Sequence, residues 1–211
     1  MKFMGKRTIR LTLLNMAIGL FVPSLLWADV TVARDVPYAS AQIAKGEKTL
    51  SLDLYRPANG CANLCPTIIG VHGGGFRGGS KADRTLSTLA CDLATAGFAV
   101  AVIDYRLVGD SPSLSQTDAQ LVERLTVGMQ LGQRNRTAPP EQVAAALAAF
   151  RDTVTAINWV AEVGTSYQLD KDRIALLGAS AGAVSVLHVA YAQDELNLAP
   201  SADIDGVIAL Q

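Results

Sequence analysis

Two short motifs contain the residues with which this chain could carry out chemistry, and the first surrounds Ser180. It reads GASAG at residues 178–182, between a predicted strand that ends at residue 177 and a predicted helix that begins at Ala181. A sharp strand-to-helix turn lifts a serine hydroxyl clear of the backbone, where it can attack a carbonyl carbon. Gly178 and Gly182 relieve the crowding that such a turn imposes. The alternative is a glycine-containing turn with an incidental serine, but the strand–turn–helix context favours a nucleophile.

The second motif reads HGGGF at residues 72–76, at the end of a predicted strand. Consecutive glycines such as Gly73 and Gly74 let backbone N–H groups turn toward a ligand. Acyl transfer needs such donors, because the carbonyl oxygen gains negative charge as the tetrahedral intermediate forms. A phosphate-binding loop is the rival interpretation. The spacing disfavours it, since the pattern GxxxxGK[ST] is absent.

Taken together, the two motifs resemble those of the carboxylesterase and hormone-sensitive-lipase-like branch of the α/β-hydrolases. The segments DYRL at residues 104–107 and DKDRI at residues 170–174 match that family in order and roughly in spacing, as do Asp152 and Trp159. The resemblance covers about residues 49–211.

This resemblance implies a serine esterase, with Ser180 as the nucleophile. It also implies an oxyanion hole, which the backbone N–H groups of Gly74, Gly75 and Ala181 would form. His72, Gly73, Gly178 and Gly182 would support the two motifs, and Asp104 and Arg106 would be structural. The family acts on small-molecule carboxylic esters, often with short acyl chains or on acetylated and feruloylated sugars. Acyl transfer by a serine needs no metal and no organic cofactor, so we expect neither.

The elements that must position these residues alternate along the chain. Strands rich in Val, Ile, Leu and Ala, apolar on both faces, are predicted at residues 67–72, 99–104, 173–178 and 204–210, with helices at 83–96, 141–163 and 181–192. Such alternation indicates an α/β fold with a doubly wound, mostly parallel sheet, here an α/β-hydrolase fold incomplete at its C-terminus. Residues 49–55 alternate in polarity and predict a half-exposed antiparallel edge strand. Residues 108–140 are the least regular and could form a lid or a solvated insertion.

The catalytic base is the missing part. In this fold the order is Ser, then Asp or Glu, then His, and after Ser180 the one histidine is His188. It lies eight residues into the helix, roughly 12 Å along the axis, and cannot reach the hydroxyl. His72 is expected to shape its loop, and Asp194, Glu195, Asp203 and Asp205 look misplaced. We therefore expect an incomplete sequence, and no esterase activity from residues 29–211 alone.

Three hypotheses remain open at this point. The first is a secreted serine esterase of which this chain is a part. The second is a non-catalytic α/β-hydrolase-fold protein that binds a ligand or partner. The third is a part of a serine peptidase or acyltransferase. A formal net charge of -1 gives no electrostatic reason to bind nucleic acid.

The first 28 residues have the composition of a secretory signal peptide. Basic residues up to Arg10 precede a mostly apolar stretch at 11–27, and Ala28 precedes Asp29. The alternative is an uncleaved membrane anchor, but the apolar stretch is short and interrupted compared with the roughly 20 residues that span a bilayer. We therefore expect cleavage near Ala28, no stable membrane anchor, and a mature domain at 29–211 that is secreted or periplasmic.

The cysteines agree with an oxidising compartment. Cys61 and Cys65 lie in one polar loop and could close a small disulfide ring. Free thiols are the first alternative. Metal ligation is the second, and it is weakly supported because no other Cys or His is nearby in sequence.

Overall fold

The computed structural model describes residues 30–132 and 138–211. The predicted signal peptide at 1–28 lies outside the described residues. None of the described helices is both long enough and apolar enough to cross a bilayer.

A six-stranded mixed sheet forms the centre of the molecule, with the strand order β1-β2-β4-β3-β5-β6. The last four in this order are parallel to one another, whereas β1 and β2 are antiparallel additions at one side. The strands are β1 Val30–Ile43, β2 Gly46–Pro57, β3 Cys65–Val71, β4 Ala99–Ile103, β5 Leu169–Ala179 and β6 Gly206–Leu210.

Helices cover both faces of the sheet, so each parallel strand contributes to two hydrophobic cores. Ile68 packs with α1 residues on one face, whereas its neighbour Ile69 packs with α3 and α4 residues on the other. Successive side chains of a strand point to opposite faces, which is why an uninterrupted apolar run predicts such a strand. The helices are α1 Arg84–Thr95, α2 Gln116–Gly132, α3 Pro140–Val163, α4 Ala181–Tyr191 and α5 Gln193–Leu196.

The helix ends follow local sequence rules. The Asp83 carboxylate caps α1 by accepting a hydrogen bond from the N–H of Leu86, at 2.9 Å. Gly97, just past the end of α1, has a φ of 99° that suits glycine. Pro140 occupies the first turn of α3, where its missing N–H removes no intrahelical bond. These three helix-end signals can all be seen in the sequence.

The prediction of a half-exposed edge strand at residues 49–55 was wrong. The strand is antiparallel as expected, but β2 lies between β1 and β4 and is buried on both faces. Leu50, Leu52 and Leu54 are fully buried, and on the opposite face Asp53 is only 1% exposed. The polar residue is buried because Arg34 pairs with its carboxylate. Strand β1 was not predicted, because two register shifts interrupt the alternation of its side chains between the two faces of the sheet. They lie between residues 33 and 36 and between residues 37 and 39.

Two further expectations need correction. Strand β6 begins at Gly206 and not at residue 204 as predicted; it pairs in parallel with β5, and within the described structure Ile208 is 44% exposed. The irregular segment at 108–140 contains the helix α2, which the sequence pattern did not reveal. An ion pair at 2.6 Å between Asp118 and Arg151 joins α2 to α3.

Cys61 and Cys65 form a disulfide, with their Cα atoms 5.3 Å apart. Cys65 is the first residue of β3 and is fully buried. The disulfide therefore closes the loop that leads into the central strand. Among the described residues, no cluster of side chains could hold a metal ion.

A buried ion pair fastens α3 to the segment that follows β4. The guanidinium of Arg106 donates to both carboxylate oxygens of Asp152, with a shortest distance of 2.7 Å, and the Arg106 N–H donates to the same carboxylate at 2.8 Å. Asp152 is 2% exposed. Removal of one partner would leave the other charge buried without compensation.

We therefore expect Asp152→Ala to lower the free energy of unfolding by about 3–5 kcal/mol. Chemical denaturation would measure this change. Asp172→Ala is the matched control, because it breaks an ion pair with Lys171 that lies on the surface, and its effect should be much smaller. Equal effects of the two substitutions would contradict a structural role for the buried pair.

Candidate active site

The residues of the two motifs meet where the parallel strands end, at the carboxyl edge of the sheet. Val71, the last residue of β3, is in register with Ile103 of β4 on one side and with Gly178 of β5 on the other. The chain segments that leave these three strands therefore start side by side. Ligands of open α/β sheets bind at this edge, outside the carboxyl ends of the strands.

Ser180 occupies a strained turn at this edge. Its φ of 51° and ψ of -112° lie outside the conformations that a non-glycine residue ordinarily adopts. Its backbone N–H donates to the carbonyl of Leu210 at 2.8 Å, and its carbonyl accepts from the N–H of Val184 at 3.1 Å. The residue itself is exposed. The structure therefore contains the sharp strand-to-helix turn that the sequence predicted, and such strain commonly accompanies function.

Two glycines make this turn possible because neighbouring backbone fills the space where a side chain would be. A Cβ on Gly178 would lie 2.2 Å from the carbonyl oxygen of Gly182, and a Cβ on Gly182 would lie 2.0 Å from that of Val71. Both distances are far shorter than any atomic contact allows. The close approach of Gly178 to Gly182 tightens the turn, and that of Gly182 to Val71 holds α4 against the end of β3.

The glycine loop at residues 73–75 runs beside the serine. A Cβ on Gly73 would lie 3.3 Å from the Cβ of Ser180 and 3.0 Å from the carbonyl oxygen of Ala179. Gly74 and Gly75 have φ angles of 114° and 62°. The consecutive glycines thus serve both the close approach to the turn and the backbone conformation of the loop.

Five consecutive carbonyls of this loop, from residue 72 to residue 76, accept hydrogen bonds. The donors come from the loop itself, from the segment after β4 and from α3, and all distances lie between 2.7 and 3.1 Å. The pairs are Tyr105 Oη to His72 O, His72 Nδ1 to Gly73 O, the Arg77 and Gly78 N–H groups to Gly74 O, Gln142 Nε2 to Gly75 O, and the Val108 N–H to Phe76 O.

Two N–H groups of the same loop have no protein partner among the described residues. Within the described structure, neither Gly74 nor Gly75 donates its N–H to a protein acceptor. Ala181, the first residue of α4, likewise has no intrahelical acceptor for its N–H. In a trans peptide the C=O and N–H groups point to opposite sides, so the fixed carbonyls also fix the directions of the free N–H groups. The result is a set of oriented donors without a protein partner, in the first residues of α4 and in a loop that approaches Ser180 at Gly73.

His72 supports this loop and is not placed to act as a base. Its ring is buried and stacks on that of Tyr105, with the centroids 4.2 Å apart. Its Nδ1 must carry the hydrogen, because its partner at 2.7 Å is the Gly73 carbonyl, which can only accept. Burial lowers the pKa of His72, against the opposing effects of the Gly73 carbonyl and Asp104. A neutral ring with a fixed tautomer is the consequence.

Lys81 anchors the chain that follows the glycine loop, and no sequence motif pointed to it. Its N–H donates to Asp104 Oδ1 at 2.8 Å. Its Nζ lies 2.7 Å from a carboxylate oxygen of Asp35, 3.4 Å from one of Asp104 and 3.6 Å from one of Asp53. One cation thus joins β1, β2 and the residue after β4. Asp104, predicted to be structural, makes contacts of that kind.

Neither of the chain's two histidines bonds to Ser180. His188 is exposed, its Nδ1 lies 2.8 Å from the carbonyl of Val184 in its own helix, and its ring stacks on Phe150. Asp205 precedes β6 and donates its N–H to Ile174 O, near the amino ends of the parallel strands and away from Ser180. The described residues therefore bring together the serine and the donors, but no acid and base.

The prediction that the spacing excludes a phosphate-binding loop also took the pattern GxGxxG to be absent, and on that point it was wrong. Gly73, Gly75 and Gly78 do fit the pattern GxGxxG. In a dinucleotide-binding loop, however, a helix opens at the glycines and directs its N-terminus at the phosphates. Here the glycines form a turn, and α1 begins only at Arg84. The structure therefore excludes that motif on geometry, where the sequence had not.

The contact between Gly182 and Val71 generates a stability prediction. We expect Gly182→Ala to lower the free energy of unfolding by at least about 3 kcal/mol, the upper part of the range for overpacking, since the rigid backbone of β3 cannot move aside. Thermal or chemical denaturation would test this. Gly109→Ala provides the control, because a Cβ at Gly109 meets no atom within 4 Å. A Gly182→Ala protein as stable as the control would show that β3 and α4 are not in close contact.

The buried neutral His72 generates a pH prediction. As the pH falls below about 6.5, the unfolded chain takes up a proton on this ring, whereas the folded chain resists until lower pH because its pKa is lowered. The stability contributed by the neutral ring is therefore complete above about pH 6.5 and is lost as the pH falls through the folded-state value. His72→Asn keeps an N–H donor but cannot titrate. Its unfolding free energy should fall less between about pH 7.5 and 5.5 than that of the wild type, and identical slopes would contradict the assignment.

Comparison with solved structures relates this arrangement to esterases. Esterase B from Lactobacillus rhamnosis superposes with a TM-score of 0.57 at 24% identity, over 87% of this chain and 48% of that protein. Esterase LipW from Mycobacterium marinum gives 0.51 at 22% identity, over 85% and 43%, and a bacterial heroin esterase gives 0.52 at 20%, over 88% and 45%. The chain thus spans a little under half the length of these proteins. The likeness confirms the predicted α/β-hydrolase fold.

A family model provides the assignment by sequence. No curated protein sequence matches the chain significantly. The model described as BD-FAE matches residues 52–119 and 138–205, which is more than half of the chain. The unmatched residues between, 120–137, fall inside the segment predicted to be a lid or an insertion. On the strength of this match, the chain belongs to the BD-FAE family, within the α/β-hydrolase fold.

Proposed function

We propose that this chain contributes the nucleophile and the oxyanion-binding donors of a serine carboxylic-ester hydrolase. The observation that carries the proposal is the pairing of Ser180 with free N–H groups whose opposite carbonyls are all hydrogen-bonded. Gly74 is exposed, so water can bond to its N–H in the free protein, and a substrate oxygen that gains negative charge can take the place of that water. Donors held in fixed directions in a loop beside a serine are what a site that binds such a charge requires.

In the proposed reaction, Ser180 Oγ attacks the carbonyl carbon of an ester. As the tetrahedral intermediate forms, its oxygen accepts hydrogen bonds from the N–H groups of Gly74, Gly75 and Ala181. Because the donors are already oriented, no reorganisation is needed when the charge develops. A base takes the Ser180 proton during the attack and returns it to the alcohol, which leaves as the intermediate collapses to an acyl group on Ser180. Water then cleaves this ester, releases the carboxylic acid and restores the serine hydroxyl.

The proposed base and acid come from outside these 211 residues, since both histidines are engaged elsewhere. By itself the chain is then inactive. We extend the proposal to small-molecule esters as the substrates, which is supported by the solved esterases of the same fold. One of these, esterase B, has been solved inhibited by a tributyrin phosphonate.

A secreted or periplasmic location is part of the proposal. The Cys61–Cys65 disulfide supports it, because disulfides persist in oxidising compartments. The signal-like composition of residues 1–28 supports it independently.

One observation favours a second candidate, a non-catalytic binding protein. In the described structure, Ser180 lacks any contact with a base. In that case the free N–H groups would bind a carboxylate or another anion without turnover. An experiment on the full-length protein separates the two candidates.

A fluorophosphonate probe provides that experiment, because it labels serines that are activated as nucleophiles. We expect the full-length protein to be labelled and Ser180→Ala to abolish the labelling. Ser201→Ala is the control, since this exposed serine lies far along the chain, beside Asn158, and labelling should persist. Labelling that survives Ser180→Ala would remove Ser180 as the nucleophile. No labelling of the wild-type protein would favour the binding role.

A further inference from the structure

We propose that Gln142 is a positioning residue that holds Gly75 in the conformation needed for oxyanion binding. The side chain comes from the first turn of α3, and no motif contains it. The inference rests on the proposed function, because it assigns a task to a residue that would not touch the substrate.

Both polar atoms of the Gln142 amide are used on the loop. Nε2 donates to the carbonyl of Gly75 at 2.9 Å, and Oε1 accepts from the Nη2 of Arg77 at 3.1 Å. The orientation of the amide is dictated by its partners, since a carbonyl can only accept and a guanidinium can only donate. Gln142 thus bridges two loop residues on either side of Phe76.

Gly75 needs this bond because both peptide groups that flank its Cα must be fixed. The preceding peptide is fixed by the Arg77 and Gly78 N–H groups, which donate to Gly74 O at 3.0 and 3.1 Å. The following peptide has Gln142 as its anchor. With a φ of 62° and no side chain, Gly75 has many other conformations within reach. This second peptide carries the Phe76 N–H, so without Gln142 its rotation would act on the Gly75 N–H indirectly, by releasing the backbone torsions at Gly75 that Gln142 holds.

Arg77 strengthens the same bond from the other side of the amide. Its positive charge lies against Oε1, and polarisation along a chain of hydrogen bonds makes the N–H a better donor. Arg77 is otherwise exposed. Its contribution is therefore indirect and smaller than that of Gln142.

Gln142→Glu tests the proposal with little change in shape. At about pH 7.5 a carboxylate can still accept from Arg77 but has no hydrogen to donate to Gly75. In the full-length protein we expect kcat for a soluble ester to fall by roughly tenfold, less than the 100- to 1,000-fold loss seen when a donor itself is removed. KM should stay unchanged, because the loss falls on the transition state. Gln142→Met removes both bonds without adding charge and should behave alike.

Two controls isolate the lost donor. Gln120→Glu makes the same chemical change on the exposed surface of α2 and should keep wild-type kcat. Arg77→Met leaves the Gly75 bond in place and should lower kcat by less than Gln142→Glu.

Hydrogen exchange provides a readout that does not depend on catalysis. Exchange at the Arg77 and Gly78 amides, which are hydrogen-bonded to Gly74 O in the wild type, should accelerate in both Gln142 variants, while the midpoint of global unfolding stays near that of the wild type. Unchanged kcat and unchanged loop exchange would overturn the inference, and labelling of Ser180 would show that the proposed function survives. If the wild-type protein has no turnover, the proposed function fails, and loop exchange alone decides whether Gln142 positions Gly75.

Discussion

The close contact between the chain after β3 and the turn after β5 is the constraint on which this structure depends. The Cα of Gly182 lies so near the Val71 carbonyl that a methyl group would stand 2.0 Å from it. The parallel register of Val71 with Gly178 sets this contact, and α4 is seated by it. Because the glycine loop leaves β3 at the same point, the contact also brings that loop beside Ser180. A site of two motifs separated by about a hundred residues is thereby assembled from backbone alone.

Charged groups at the same edge hold the flexible loop still. Glycines lose more conformational freedom on folding than any other residue, so a loop rich in them needs anchors. Lys81 supplies one through three carboxylates, and the buried pair of Arg106 and Asp152 secures α3, the helix that carries Gln142. Burial of charge is costly unless the charge is paired and hydrogen-bonded. Each of these buried charges is paired, and the pairs fix the chain close to the donors that must be oriented.

Periodicity predicted three helices and the parallel strands β3, β4 and β5, because the spacing of apolar residues indicates which faces of each element are buried. The prediction failed where neighbours decide burial. The pattern of β2 predicted an edge strand, but β1 pairs with its outer side and Arg34 neutralises the buried charge of Asp53. β1 has bulges that hide its period.

The sequence by itself determined the turn that bears Ser180 and the glycine loop, because both depend on local backbone freedom at named glycines. It also pointed to the histidine of the loop and to the two cysteines. Only the tertiary structure decided what fixes the loop, since Tyr105, Val108 and Gln142 reach its carbonyls from positions 33, 32 and 67 residues away from their partners. Such contacts leave no periodic trace in a single sequence. They exist because the sheet register and the packing of α3 place distant segments within hydrogen-bonding distance.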